Sequence, residues 1–359
     1  MKLELLSIVI LNKFSVLLMS GRIILRKIGV GVVGLGRIGR VHTEIFASKI
    51  ENAELVAVMD IIENVARSIS GIFKVKYYTD YDKFLRDPNI DAVIICTPTY
   101  LHKDMIIKAA ENRKHIMVEK PLAVTSSDAK ECINKIQKYG VKLQVGYMRR
   151  FDYSYRRAKE KIEKGEIGKL VAFIGIARDP APPPGWAADP KLSGGIFLDM
   201  LSHDFDIARW LMNSDIEEVY VQGKNVFYEE VKMKGDLDMV NIIFRFKNEA
   251  QGFIHGSRKS AFGYDLRTEI LGTKGTIYIG NIKDHMFALG THTGIAYYGI
   301  SWFEKRFYDA FISEDTHFIN CIIEDKEPLV SGVDGLKVIK IAEACWKSYK
   351  LQKPIKIEY

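Results

Sequence analysis

Gly34-Leu35-Gly36-Arg37-Ile38-Gly39 is a glycine pattern suited to holding a pyrophosphate. Gly34 permits a tight turn, Gly36 lets the main chain approach phosphates, and Gly39 lets a helix pack closely on a strand. A helix opening at Arg37 and Ile38 would present free N–H groups to the anion. The pattern follows an apolar run, Ile28–Val33, and Asp60 stands 21 positions beyond Gly39, placed to accept from a ribose 2′-hydroxyl. Ile61, Ile62 and Glu63 follow it, so no basic residue is at hand for a 2′-phosphate, which favours NAD over NADP. Alone, the glycines could make a turn with no ligand; strand, helix and acid in the right order make them a cofactor fingerprint.

Two more junctions follow apolar runs. Thr97 and Pro98 come after 92–96, and Glu119, Lys120 and Pro121 after 116–118. Parallel sheets bind ligands beyond the carboxyl ends of their strands, so both junctions, Lys120 included, are expected to face the cofactor cleft rather than bulk water. His102, starting the next helix, is expected to cap or pack more than to catalyse. Further along, Asp199, His203 and Asp206 stand at i, i+4 and i+7 in an otherwise apolar helix over 196–211. Such a polar stripe is costly to bury unless partnered. It is either a site or a satisfied core network, with Asp206 paired to Arg209 at i+3.

Strands at 28–33, 55–59, 92–96 and 116–118 alternate with helices at 38–48, 101–112 and 127–139. Parallel strands need such crossovers, so 28–148 is expected to be a doubly wound Rossmann sheet. Residues 149–359 read differently. A helix at 153–164 and a strand at 170–177 precede a stiff loop, Arg178-Asp179-Pro180-Ala181-Pro182-Pro183-Pro184-Gly185-Trp186. Strands at 219–227, 237–246, 250–258, 265–271 and 275–279 with short connections suggest antiparallel neighbours. Helices at 304–324 and 334–349 close the chain. The expected class is α/β: a Rossmann domain, then an α+β substrate-binding and oligomerisation domain with a large, mostly antiparallel open sheet.

Composition bounds the rest. Of 359 residues, 47% are hydrophobic and 27% charged, which excludes a disordered or fibrous chain. Cys96, Cys132, Cys321 and Cys345 are far apart, which excludes a disulfide scaffold, leaves no zinc-ligand spacing and suits the reducing cytoplasm. The net charge of +7 is interleaved with acids, so no nucleic-acid patch is expected, whereas an anionic dinucleotide suits it. Within residues 1–27 the charge-free stretches are 5–12 and 14–21, too short to span a membrane, and no secretory cleavage pattern follows. This segment is expected to be an extension without catalytic role, with Met19 a natural start and a peripheral helix the alternative.

GLGRIG, CTPTYLH, VEKPLA, GYMRRFD and SGGIFLDMLSHDFDIARWL together resemble the glucose–fructose oxidoreductase/inositol dehydrogenase (Gfo/Idh/MocA) family, from about residue 28 to the C-terminus. RDPAPPP and Gly263-Tyr264-Asp265-Leu266-Arg267 are most similar to its inositol 2-dehydrogenases. The resemblance implies NAD-linked oxidation of a ring hydroxyl of a polyol or sugar by a homotetramer or homodimer. It also implies Lys120, Asp199 and His203 as catalytic residues. Tyr147 departs from the phenylalanine frequent in the family.

The residue types fit that chemistry independently. A neutral imidazole suits proton removal, so His203 is the expected base. Asp199, one turn earlier, is expected to orient it. Lys120 is expected to favour the developing alkoxide, with no metal required. Arg149, Asp179, Tyr264 and Arg267 are expected substrate contacts. Other readings are another sugar dehydrogenase, a keto-sugar reductase, or an NAD-binding regulator, the last requiring damaged catalytic positions that are intact here.

Overall fold

The computed structural model describes residues 10–11, 14–19, 22–280 and 283–359. Three short strands, β1 (Ile10–Leu11), β2 (Phe14–Met19) and β3 (Arg22–Leu25), pair antiparallel in that order. The described part of the N-terminal segment is therefore strand, not the helix weighed for it. Residues 1–9, 12–13 and 20–21 lie outside the described residues.

Six strands follow: β4 (Ile28–Val33), β5 (Ala53–Met59), β6 (Lys76–Tyr78), β7 (Ala92–Ile95), β8 (His115–Glu119) and β9 (Leu143–Gly146). All pair in parallel, in the order β6-β5-β4-β7-β8-β9. Helices α1 (Arg37–Ser48), α2 (Glu63–Phe73), α3 (Tyr81–Leu85), α4 (His102–Glu111) and α5 (Ser126–Tyr139) connect them. β4 and β7 are buried at every position, as helices on both faces require. The order reverses between β4 and β7, which opens a crevice at their carboxyl ends.

The second sheet has seven strands: β10 (Leu170–Arg178), β11 (Ile216–Lys224), β12 (Met239–Phe246), β13 (Gln251–Ser257), β14 (Asp265–Gly272), β15 (Thr276–Ile279) and β18 (Ile355–Lys356). Their order is β15-β14-β10-β13-β12-β11-β18, antiparallel except for β10 beside β13. Inner residues such as Phe173, Ile242, Ile254 and Ile270 are fully buried. Ile174, Ile243, Leu271 and Tyr278 stand exposed on the other face. β11 ends at Lys224, short of the expected 227, because the Asp238 carboxylate draws off the N–H groups of Val226, Phe227 and Tyr228. The hairpin of β16 (Lys283–Thr291) and β17 (Gly294–Gly299) was not expected from the sequence.

Around this sheet lie α6 (Tyr153–Glu163), α7 (Pro190–Ser193), α8 (Ser202–Met212), α9 (Glu229–Met233), α10 (Phe303–Ile323) and α11 (Gly332–Leu351). The helix expected over 196–211 is in fact two pieces. A π turn, Ile196–Met200, ends at Leu201, and α8 starts afresh at Ser202. The expected Asp206–Arg209 pair is also corrected. Arg150 comes alongside α8 from a tight turn, Met148–Phe151, and its fork takes Asp206 at 2.8 and 2.6 Å. Arg209, near the end of α8, reaches forward to Asp215 instead. Arg150 also bonds Asp334 on α11 and the Leu329 carbonyl.

The C-terminal helices return to the parallel sheet. Buried His42 on α1 sits between Asp315 on α10 (2.9 Å) and Glu119 on β8 (3.2 Å). Burial opposes a charge on His42, but the carboxylates of Asp315 and Glu119 outweigh it and hold the imidazole pKa well above its ordinary value.

Removing one partner of a buried ion pair strands the other charge. Asp206→Ala is therefore expected to destabilise the fold by about 3 kcal/mol in urea unfolding. A loss under about 0.5 kcal/mol, ordinary for a surface change, would show that the pair does not hold α8 to the 148–151 turn.

Candidate active site

The glycine loop is shaped by close approaches. Gly34 has φ +85, and a Cβ there would lie 2.8 Å from the Cys96 carbonyl group. A Cβ on Gly39 would lie 1.8 Å from the Gly34 oxygen. That is the helix–strand packing expected of Gly39. Gly36 faces open space and caps α1 with no side chain, leaving first-turn N–H groups free for an anion. Asp60 accepts from Leu35 N (2.8 Å) and Ile62 N (2.9 Å), so it braces the loop while bordering the cleft. Arg37 stacks 4.9 Å from the Trp302 and Phe303 rings and pairs with Glu304 at 2.7 Å. A C-terminal segment thus sits against the loop's first helical residue.

The cleft is a cavity of about 1110 Å³ running from this loop to α8. Gly34, Gly36, Arg37, Ile38, Asp60, Thr97, Pro98, Glu119 and Lys120 line it from the parallel-sheet half of the chain. Arg149, Asp179, Asp199, His203 and Tyr264 line it from the residues that follow. Glu119 accepts from Lys120 N at 3.0 Å. The Lys120 ammonium donates to the Asp199 carbonyl oxygen at 2.6 Å, which leaves its other N–H groups for the cleft. His102 proves to be a brace. Its two ring nitrogens lie 2.8 and 2.7 Å from the Thr97 and Pro121 carbonyl oxygens, so it spans both cofactor-side junctions.

Two expectations need correction, for Asp199 and for Arg267. Asp199 does not orient the His203 ring; its carboxylate accepts from Arg258 at 3.1 Å, and His203 Nδ1 has no partner. The cause is the π turn and the break at Leu201, which take the two residues off a shared α-helical face. Arg149 and Tyr264 both border the cavity; Arg149 donates to the Tyr264 hydroxyl oxygen at 3.3 Å and to Asp204 at 2.9 Å, which leaves the Tyr264 O–H free to donate. Arg267 does not reach the cleft. It lies on the exposed face of β14 and pairs with Asp265.

The electrostatics are uneven. His203 is buried, and burial pushes its pKa well below the ordinary value; Arg149 and Lys120 push it further. The imidazole is therefore neutral at neutral pH. Burial raises Asp179 to about 6, with Asp199 adding to the effect and Arg258, Lys120 and Arg149 opposing it. Among the described residues, no His/Cys/Asp/Glu group could hold a metal ion.

Sequence reasoning missed Arg258, Trp302 and the edge contact of Trp186 with Tyr100 (6.3 Å), which joins the proline loop to the parallel-sheet side. A charged residue directly after the β13 run was the one available signal for Arg258.

A phosphate-binding loop, an acid at the ribose position and a lysine, imidazole and carboxylates in one cavity define a dinucleotide-linked oxidoreductase. Residues 28–147 match the oxidoreductase family with the NAD-binding Rossmann fold, and residues 155–278 match the GFO/IDH/MocA C-terminal domain. The chain belongs to the GFO/IDH/MocA oxidoreductase family and is NAD-dependent. It is 37% identical to myo-inositol 2-dehydrogenase of Thermotoga maritima, over 92% of this chain and 98% of that one. It is 38% identical to scyllo-inositol 2-dehydrogenase (NAD(+)) of Bacillus subtilis, over 91% and 95%. The crystal structure of scyllo-inositol dehydrogenase from Lactobacillus casei, with NAD(H) and scyllo-inositol bound, superposes with a TM-score of 0.86 at 31% identity, over 92% and 99%.

Burial lowers the His102 pKa, so the neutral ring donates to one of the two carbonyls it lies between, and His102→Ala removes that bond and the ring that spans the cofactor-side junctions. Losing about 1.4 kcal/mol of such bonding predicts roughly tenfold weaker NADH binding, read by fluorescence titration. Unchanged affinity would show that the junctions hold without it.

Proposed function

We propose that this protein oxidises one ring hydroxyl of an inositol to the ketone, with NAD as hydride acceptor. The observation that carries the reading is that Lys120 and His203 border the same cavity as the pyrophosphate loop and Asp60. The names of the relatives above supply the polyol class.

Bound NAD supplies the site that receives the hydride. The chain supplies the rest. Uncharged His203, which borders the cavity, takes the hydroxyl proton as base. Lys120, steadied by the Asp199 carbonyl, points its remaining N–H groups at the same oxygen and stabilises the alkoxide as it forms. Asp199 shapes this corner through its main chain and its bond to Arg258. Asp179 offers an acceptor to neighbouring ring hydroxyls, and Arg149 and Tyr264 supply donors.

We read residues 28–148 as the NAD-binding unit and 149–359 as the substrate-binding and oligomerisation unit. Exposed Ile174, Ile243, Leu271 and Tyr278 on the open sheet support a homodimer or homotetramer built on that face. Four free cysteines suit the cytoplasm, and among the described residues no helix is long and apolar enough to cross a membrane.

The test is NADH formation with myo- and scyllo-inositol and with aldoses, using NAD and NADP in parallel. Turnover of inositols with NAD is expected; NAD binding without turnover of any polyol sinks the proposal. Lys120→Ala should lower kcat about 10²–10⁴-fold. Protonation removes an acceptor from Asp179, so kcat/KM should fall as pH drops through about 6. Asp179→Asn should lose that limb, and a limb that survives the change belongs to another group.

A further inference from the structure

Arg258 is only 1% exposed and heads the fully buried side chains by size. It stands directly after β13, where its N–H donates to the Asp238 carbonyl. Nη1 donates to Asp199 Oδ2 at 3.1 Å, and Nη2 to Asp236 Oδ2 at 2.9 Å. The other oxygen of Asp236 accepts from Ile196 N at 2.9 Å, at the start of the π turn. Gly195 has φ +69, and a Cβ there would lie 2.6 Å from that same oxygen, so the double glycine makes room for the carboxylate. One guanidinium therefore holds the turn at both ends: its start through Asp236, and Asp199 directly.

What rests on the turn is the Lys120 ammonium, 2.6 Å from the Asp199 carbonyl oxygen. Arg258 borders the cavity, but both terminal nitrogens are taken by carboxylates, so it acts through Asp199. A rigid planar fork holds two carboxylates in fixed directions, whereas an ammonium on a flexible stem leaves their geometry loose.

We propose that Arg258 is a positioning residue for the dehydrogenase reaction: by clamping Asp199 and Asp236 it fixes the π turn that aims Lys120 at the reacting hydroxyl. The kinetic part rests on the functional reading above; the structural part stands without it.

The charges facing Asp179 give a readout of the Arg258 cation that is separate from the geometry of the turn, so the charge and the clamp can be told apart. They are Lys120, Arg149, Asp199 and Arg258, and the uncharged Tyr264 hydroxyl faces it too, from five separate stretches of chain. Removing the Arg258 cation takes away a charge that favours the ionised carboxyl, so the acid limb near pH 6 should rise in Arg258→Gln.

The experiment compares wild type, Arg258→Lys and Arg258→Gln by kinetics across pH, NADH titration and crystallography. Arg258→Gln is expected to lose kcat by about 10²-fold, as misplacing a reacting group by about 1 Å does, with NADH affinity unchanged. Arg258→Lys keeps the charge and loses the fork. It should keep the wild-type acid limb, recover part of kcat, and show Asp199 displaced with the Lys120–Asp199 bond lost or lengthened. If Arg258→Gln does not fold, Arg258→Lys decides alone. Wild-type kcat in Arg258→Lys, or a crystal structure of it with the turn and the Lys120 contact unmoved, overturns the proposal. If wild type turns over no polyol, the functional reading fails, while the crystal structure of Arg258→Lys still decides the clamp.

Discussion

The bond from the Lys120 ammonium to the Asp199 carbonyl ties the carboxyl end of a parallel strand to a turn built ahead of α8. Each side of that bond is over-determined. Lys120 follows β8, an interior strand of the parallel sheet, and the preceding Glu119 carboxylate accepts from its own N–H. Asp199 is held by Arg258. The reactive end of the cleft is thus fixed by elements 79 residues apart in sequence that meet at one ammonium. A lysine so engaged is already oriented before a ligand arrives, and preorganised donors are those that do most for a developing negative charge.

The cleft places a buried, unprotonated imidazole among cations. Arg149 and Lys120 both disfavour a charge on His203, and the carboxylate expected to orient it, Asp199, turns to Arg258 instead. The imidazole is therefore a proton acceptor that gives up its proton readily. That suits a base in a reversible redox step better than one that keeps what it takes. Asp179, shifted upwards by burial and by Asp199, is the carboxyl in this cavity that titrates in the same range as an ordinary histidine.

Much of the cofactor side was legible in the sequence because its constraints are local. The glycine spacing, the strand before it and Asp60 beyond it all act within one βαβ unit, and the structure puts each where that unit requires. The substrate side was legible only as a set of residue types. Lys120, Asp199 and His203 do reach one cavity, but helical spacing assigned Asp199 the wrong partner. Period-3.6 reasoning cannot see a π turn, which adds a residue and rotates everything after it. Asp206 went astray for a related reason: its partner, Arg150, is 56 residues distant, whereas Arg209 is three away. Arg267 was a matter of strand parity, since one step along β14 exchanges the inner face for the outer one.

His42, lodged between Asp315 and Glu119, sets the limits of modularity in this chain. The nucleotide-binding half looks self-sufficient in sequence order, yet one wall beneath β8 is furnished by a helix that begins at Phe303. Transplanting the first 150 residues onto another catalytic partner would expose that imidazole and leave Glu119 without its counter-charge. Grafts between relatives should therefore exchange α10 together with the parallel sheet, cutting the chain in two places rather than one.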